Sequence, residues 1–176
     1  MSIRSGKGDK GFTNIYFHKR ISKNSVDIAA IGDLDELNAY LGLAKARIKS
    51  KKDKAILEKV QQTIALIMSE IVIGGEKRKK MGLLINKDKT DWIKQLIGRF
   101  ERETKVESCF YIPGDNELSA FLDVTRAVAR RAERSMVGLF REERIENQNI
   151  LTYLNCVSDL LFIMARRAGK RKRKRR

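Results

Sequence analysis

The chain has 176 residues, a formal net charge of +16 and two cysteines. That length supports one domain with a substantial core, and no apolar run approaches the roughly 20 residues that span a bilayer. Neither Cys109 nor Cys156 belongs to a CxxC pair or a Cys/His cluster, which argues against a zinc site or a disulfide framework. The seven consecutive basic residues Lys170 to Arg176 leave about +9 on residues 1–169, a surplus suited to nucleotides, nucleic acid or acidic surfaces. With no apolar segment behind Met1, the expectation is a soluble, cytoplasmic protein with reduced thiols.

Residues 1–25 are glycine-rich and basic, without helical period. Ser5-Gly6-Lys7-Gly8-Asp9-Lys10-Gly11 contains a literal GxGxxG. A dinucleotide fold is rejected, because no strand precedes Gly6 and no amphipathic helix opens at Gly11. The glycines do allow backbone N–H groups to approach an anion, with Lys7 and Lys10 near. A loose basic terminus is the commoner meaning of such a stretch.

Asp33 is expected to cap a first helix, with Glu36 three residues on and Leu34, Leu37, Leu41, Ala44 and Ile48 as its apolar stripe. Asp35 and Asn38 fall off that stripe. A second helix is expected from about Lys54 to Ile73, joined by the short turn Lys49 to Asp53, so that the two run antiparallel in a bundle. Gly74-Gly75 should end it, followed by a basic loop from Glu76 to Lys89. Asp88 or Thr90 is the expected cap of a third helix carrying Trp92, Leu96, Ile97 and Phe100. His18, the single histidine, has no visible catalytic partner.

Pro113-Gly114 marks a turn, and Asp115 or Asn116 can cap the helix after it. The pair Phe110-Tyr111 should sit at a bundle end, filling the core there or lining a pocket, with filling the commoner use. From Leu118 to Phe140 one stripe faces a core, and Arg126, Arg130 and Glu133 form a file beside it, flanked by Asp123 and Arg134. Alone, that file reads more readily as a solvated basic face than as a phosphate clamp. A last helix from about Gln148 to Arg167 carries Asn155 and Asp159 one turn apart. The tail 170–176 should be disordered, because like charges repel and nothing apolar can be buried. The expected fold is all-α, a single bundle of about five helices over residues 1–169.

Several of these segments carry a family resemblance. Gly8-Asp9-Lys10-Gly11-Phe12-Thr13, Gly32-Asp33-Leu34-Asp35-Glu36-Leu37-Asn38, Phe110-Tyr-Ile-Pro113-Gly114, Arg126-Ala-Val-Ala-Arg130-Arg131-Ala132-Glu133-Arg134 and Tyr153-Leu-Asn155-Cys-Val-Ser158-Asp159 resemble, in order, motifs of the helical-bundle ATP:cob(I)alamin adenosyltransferases. The resemblance implies an up-and-down, ferritin-like bundle and transfer of the 5′-deoxyadenosyl group of ATP to the cobalt of cob(I)alamin. Adenosylcobalamin and triphosphate are the implied products. It also implies that Ser5, Gly6, Lys7, Gly8, Thr13, Asn14 and Lys23 wrap the phosphates, with Mg²⁺. Arg130, Arg131, Glu133 and Arg134 would clamp them, and Asn155 would position the nucleotide. Asp35 and Arg126 would form an orienting ion pair. Phe110 would lie under the corrin ring, keeping an axial ligand off the cobalt so that Co(II) is four-coordinate and easier to reduce. Trimers with ATP between subunits, and a flavin or other reductase as electron donor, are further implications.

The chain departs from the family pattern in Ser5-Gly6-Lys7-Gly8-Asp9, where Gly6 displaces the basic residue by one position and one hydroxyl is lost, and at Asp115, Asp123 and Cys156, where a glycine, a histidine and an arginine are usual. Two other readings stay open on charge and on the altered loop: a basic helical nucleic-acid-binding protein and a non-catalytic corrinoid carrier. Against the first, Trp92, Phe110 and Tyr111 are not interleaved with basic residues.

Overall fold

A computed structural model describes residues 8–15, 19–73, 79–82 and 84–173. Its first regular structure is a hairpin that helical periodicity could not reveal. Gly11, at φ +76°, closes a turn in which its N–H donates to Gly8 O at 3.3 Å. Strands β1 (Phe12–Ile15) and β2 (Lys19–Ser22) then pair antiparallel, Thr13 opposite Ile21 and Asn14 opposite Arg20. The strands are short, β1 without any charged residue and β2 opening on Lys19-Arg20, and neither shows an apolar alternation long enough to announce it. The Arg20 guanidinium over the Phe12 ring, at 4.9 Å, gives them a cross-strand contact instead.

Helix α1 spans Val26–Arg47 and is capped by Ser25, whose hydroxyl accepts from Ile28 N–H at 3.4 Å. The expected cap, Asp33, therefore lies well inside the helix. The buried stripe reaches back to Ala30, so packing carries the helix through Val26, Ile28, Ile31 and Gly32, residues of modest propensity that mask it in the sequence. Residues 48–50 turn the chain, and Ser50 Oγ accepts from Asp53 N–H at 3.3 Å, which starts α2 (Lys51–Ile73) before the expected Lys54. Leu57, Val60, Ile64, Ile67 and Ile71 are all buried, as their spacing requires. Gly74 and Gly75 lie outside the described residues.

Helix α3 (Lys87–Thr104) is capped by Asn86 rather than by Asp88 or Thr90. Asn86 is better placed because Ile85 beside it is buried and its N–H is held by the buried Glu70 carboxylate of α2 at 3.1 Å. Ile93, Leu96 and Phe100 enter the core, while Trp92 packs at its edge with Lys59 Nζ 4.1 Å from the ring centroid.

Asn116 caps α4 (Glu117–Arg141) in a reciprocal capping box with Ser119, and its side-chain amide also donates to Ala168 O of the last helix at 2.9 Å. That helix, α5, runs Gln148–Arg173 and so enters the tail expected to be disordered. Once a long packed helix exists, each further residue adds a hydrogen bond without a new nucleation cost, which offsets the charge repulsion. The helices neighbour one another in the order α2, α1, α4, α5, α3, so the arginine-bearing α4 lies between two partners. No helix among the described residues is long and apolar enough to cross a membrane.

Tyr153 on α5 is fully buried, and burial pushes its phenol up to about 12. The unfolded chain ionises near pH 10 while the native state stays protonated, so unfolded chains bind fewer protons there and stability falls as pH rises. Urea unfolding of the protein is expected to lose about 2–3 kcal/mol between pH 10 and 12 through this group. Tyr153→Phe should lose correspondingly less, and an identical alkaline profile in that variant would exclude the assignment. Asn116→Ala should cost about 2 kcal/mol at neutral pH through the cap and the bond to α5, read as a lower urea midpoint at constant slope.

Candidate functional site

Helical geometry divides the arginines of α4 between the two helices that flank it. Arg131 points toward α1: its Nε donates to Asp33 at 3.2 Å and its Nη2 to Glu36, while the Ser135 hydroxyl donates to the same Asp33. These bonds, first the one to Glu36, raise the Arg131 pKa. A guanidinium held by two carboxylates is a strap between α1 and α4. Its neighbour in sequence, Arg130, lies on the α5 side and is exposed. It acts on Asp159, whose carboxyl is pushed up mainly by burial and drawn down by the Arg130 charge. Arg134 reaches back so that its Nη1 donates to Arg130 O at 3.1 Å, and Glu133 is half-buried.

Asn155 is exposed one turn before Asp159 on α5, so the two share a polar strip with Arg130. Cys156 beside them is buried, and burial raises its thiol pKa. On α1, Asn38 is half-buried; its backbone carbonyl accepts from Gln61 while its side-chain oxygen has no partner among the described residues.

The N-terminal loop contributes a separate group. Lys23 N–H donates to Gly11 O at 2.9 Å, which folds the end of β2 back on the turn. Its ammonium would lie 3.0 Å from a Cβ at position 8, so glycine there makes room for the lysine. Thr13 is half-buried and Asn14 exposed on β1. Ser5, Gly6, Lys7 and His18 lie outside the described residues.

Residues 105–116 connect α3 and α4 and treat their two aromatics oppositely. Tyr111 packs, its ring edge-on to Phe162 at 5.9 Å and its hydroxyl accepting from Glu107 N–H at 2.9 Å. Phe110 is 93% exposed and lines clefts, so the two expected uses are divided between the pair, with Tyr111 filling the bundle end. One aromatic suffices at that edge, and Phe110 stands between two open clefts. The first, about 410 Å³, is lined by Glu107, Ile112, Asp115, Arg166 and Gly169 among others; the second, about 280 Å³, by Tyr111, Pro113, Asp123, Arg126, Phe162 and Arg166. Asp115 leans onto α5 at Gly169, where any Cβ would overlap its carboxylate.

Asp123 and Arg166 are the site residues that sequence reasoning missed. Arg166 is buried and its Nη2 donates to Asp123, whose other oxygen lies 3.4 Å from Arg126 Nε. The expected Asp35–Arg126 pair is therefore not formed within the chain: Asp123, one turn away on the same helix, takes the arginine, and Asp35 stays exposed. One signal was available for Arg166. It continues the spacing of Leu160 and Ile163, both buried, so a charge at that position needs a buried partner.

Among the described residues no group of three or more His, Cys, Asp or Glu side chains is arranged to hold a metal ion. The site is thus a cationic strip, a lysine-gated glycine turn and an exposed phenylalanine between clefts. A family model described as cobalamin adenosyltransferase matches residues 3–168. The chain belongs to that family. A cobalamin adenosyltransferase of Cupriavidus metallidurans is 35% identical over 171 residues, covering 95% of this chain and 89% of that protein. The corrinoid adenosyltransferase PduO of Salmonella typhimurium is 31% identical over 94% of this chain, which spans 49% of that longer protein. Among solved structures, a single-residue variant of the PduO-type ATP:corrinoid adenosyltransferase from Lactobacillus reuteri, complexed with cobalamin and ATP, superposes with a TM-score of 0.87 at 31% identity, covering 98% of this chain and 93% of that one.

The two margins of α4 in this family member should separate in experiment. Arg131→Ala is expected to lower the thermal midpoint by cutting the strap to Asp33 and Glu36, while Arg130→Ala leaves the midpoint unchanged. Equal midpoints for the two variants, measured by circular dichroism, would contradict the division.

Proposed function

We propose that the protein transfers the 5′-deoxyadenosyl group of ATP to the cobalt of cob(I)alamin or a related corrinoid, yielding adenosylcobalamin and triphosphate. The observation that carries this is Phe110, an aromatic side chain 93% exposed between two clefts, where a flat macrocycle can lie against it. In the reaction Co(I) attacks C5′ of ATP, a cobalt–carbon bond forms, and the C5′–O bond breaks with its electron pair leaving on triphosphate. The corrinoid supplies the nucleophile, so the chain need only hold C5′ toward the cobalt and stabilise the departing charge.

Arg130 is the cation suited to that second task, since it is exposed and not strapped to α1 as Arg131 is. Arg134 stands a turn further along, and Glu133 and Asn155 complete the polar margin that would hold the nucleotide. Lys23 over Gly8, with Ser5, Gly6, Lys7, Thr13 and Asn14, would wrap the phosphates. Mg²⁺ would come with the triphosphate, whose oxygens supply most ligands in such sites. Phe110 would keep water and an axial ligand from the lower face of the corrin, favouring four-coordinate Co(II) and its reduction by a flavin or other reductase.

Two features support a homotrimer with the site between subunits. The hairpin does not pack extensively on any helix among the described residues, so its phosphate loop is available to a neighbouring copy. Asp35 and Arg126, not paired within the chain, would then meet across the subunit boundary. The protein would act in the cytoplasm.

Anaerobic mixing with ATP and chemically reduced cobalamin should give the light-sensitive spectrum of adenosylcobalamin and one triphosphate per turnover; absence of both products would refute the activity. Arg130→Ala should lower kcat by about 10²-fold, as loss of one donor to a developing anion does elsewhere. Wild-type kcat in that variant would remove Arg130 from the role.

A further inference from the structure

Positive charge is concentrated at one end of the bundle. Residues 45–54, around the α1–α2 turn, hold six basic residues and one acid, and residues 170–176 hold seven basic residues, so these two segments carry +12 of the net +16. They meet in space, because Arg167 of α5 reaches Asp53 at 3.7 Å and Ala168 borders the same small cleft as Ile48 and Lys49. The acids nearby are already engaged, Asp53 and Glu103 by Arg167 and Glu117 by Arg47. Lys49, Lys51, Lys52 and Lys54 are exposed and form no ion pair among the described residues. Three of them, Lys51, Lys52 and Lys54, also stand in the first turn of α2, where the helix macrodipole disfavours cations. Self-repulsion in such a cluster works against the folded state, and an anionic partner relieves it.

We propose that this end of the bundle binds double-stranded DNA through its phosphate backbone, without sequence preference. A small anion does not suit it, since the cleft there is only about 80 Å³ and is floored by Ile48, Leu118, Leu122 and Met164. The lysines are instead spread over an exposed turn, as contact with an extended polyanion requires. Neither basic segment contains an aromatic residue, so the bases of a single strand have nothing to stack on. Helix α5 continues to Arg173. Successive helical positions turn by about 100°, so positions 170–173 surround its axis and leave no apolar face to lie in a membrane. The exposed apolar residues of the 105–116 segment, Phe110 and Ile112, line the larger cleft and not this turn. A helix basic on every side fits between two walls of phosphate. The major groove of B-DNA admits an α-helix, whereas that of A-form RNA is too narrow. The lysines of the α1–α2 turn then meet the phosphates beside the groove. This binding is independent of adenosyl transfer, because none of these residues belongs to the nucleotide or corrinoid margins.

The test is fluorescence anisotropy of short labelled DNA duplexes titrated with the full chain. Two duplexes of unrelated sequence should bind alike, and affinity should fall about 10³-fold between about 50 and 200 mM salt, as the release of about six counterions requires. A variant combining Lys49→Gln, Lys51→Gln, Lys52→Gln and Lys54→Gln should bind at least about tenfold more weakly, with a shallower salt dependence. Deletion of residues 170–176 should act in the same direction, with native circular dichroism as the control for folding in both proteins. Absence of duplex binding at about 50 mM salt overturns the proposal. So does full retention of affinity in the lysine variant, which would leave the tail as an isolated polycation. Tighter binding at equal salt to duplex RNA, or to vesicles of phosphatidylserine and phosphatidylcholine, assigns the patch to another polyanion and overturns it as well. Should one variant fail to fold, the other decides, because each removes one half of the surface.

Discussion

Helix α4 is buried on both sides, by α1 and by α5, and this leaves only its margins for charge. A helix clamped in this way cannot rotate to suit a ligand. Each arginine is committed by its position on the 3.6-residue repeat to one neighbour or the other. Arg131 meets Asp33 and Glu36 and becomes part of the scaffold, while Arg130, the preceding residue, is turned to Asp159 and solvent. The apolar stripe from Leu122 to Leu139 thus decides which guanidinium is structural and which is available for chemistry.

The same constraint governs the other end of the helix. Asp123 sits one turn above Arg126 and opposite Arg166 of α5, so one carboxylate serves two cations. A buried arginine with a single acid partner is an uneven arrangement, since desolvation acts on the whole guanidinium while one nitrogen is satisfied. The open clefts beside Phe110 lie where that imbalance is, which ties the packing of α4 on α5 to the surface that would receive a macrocycle. The cap of α4 belongs to this end too, because Asn116 binds Ala168 O and Asp115 leans on Gly169. The 105–116 segment is thereby fastened to α5 close to Arg166.

Much of the bundle was legible in the sequence. The stripes of α2, α4 and α5 repeat every three and four residues, and such spacing fixes both helix and buried face. Local rules failed where several residues competed for one role. Ser25, Asp33, Asn86, Asp88 and Thr90 are all acceptable caps; at α3 the cap used is the one beside the buried Ile85, whereas at α1 packing that reaches back to Ala30 carries the helix past Asp33 to Ser25. The hairpin escaped notice because its strands are only four residues each, too short for an alternation to register.

Order, spacing and residue type along the chain thus determined that this is an all-α bundle with a glycine turn, an arginine file and an aromatic loop, and pointed to its family. Tertiary structure decided how those parts are used. Phe110 and Tyr111 are adjacent and chemically alike, yet one faces solvent and the other packs on Phe162, because only the placement of α5 settles which side of the loop is covered. Asp123 and Arg166 are 43 residues apart, and no periodicity joins them. Their meeting follows from the packing of two long helices, an interaction that sequence spacing within either one cannot express.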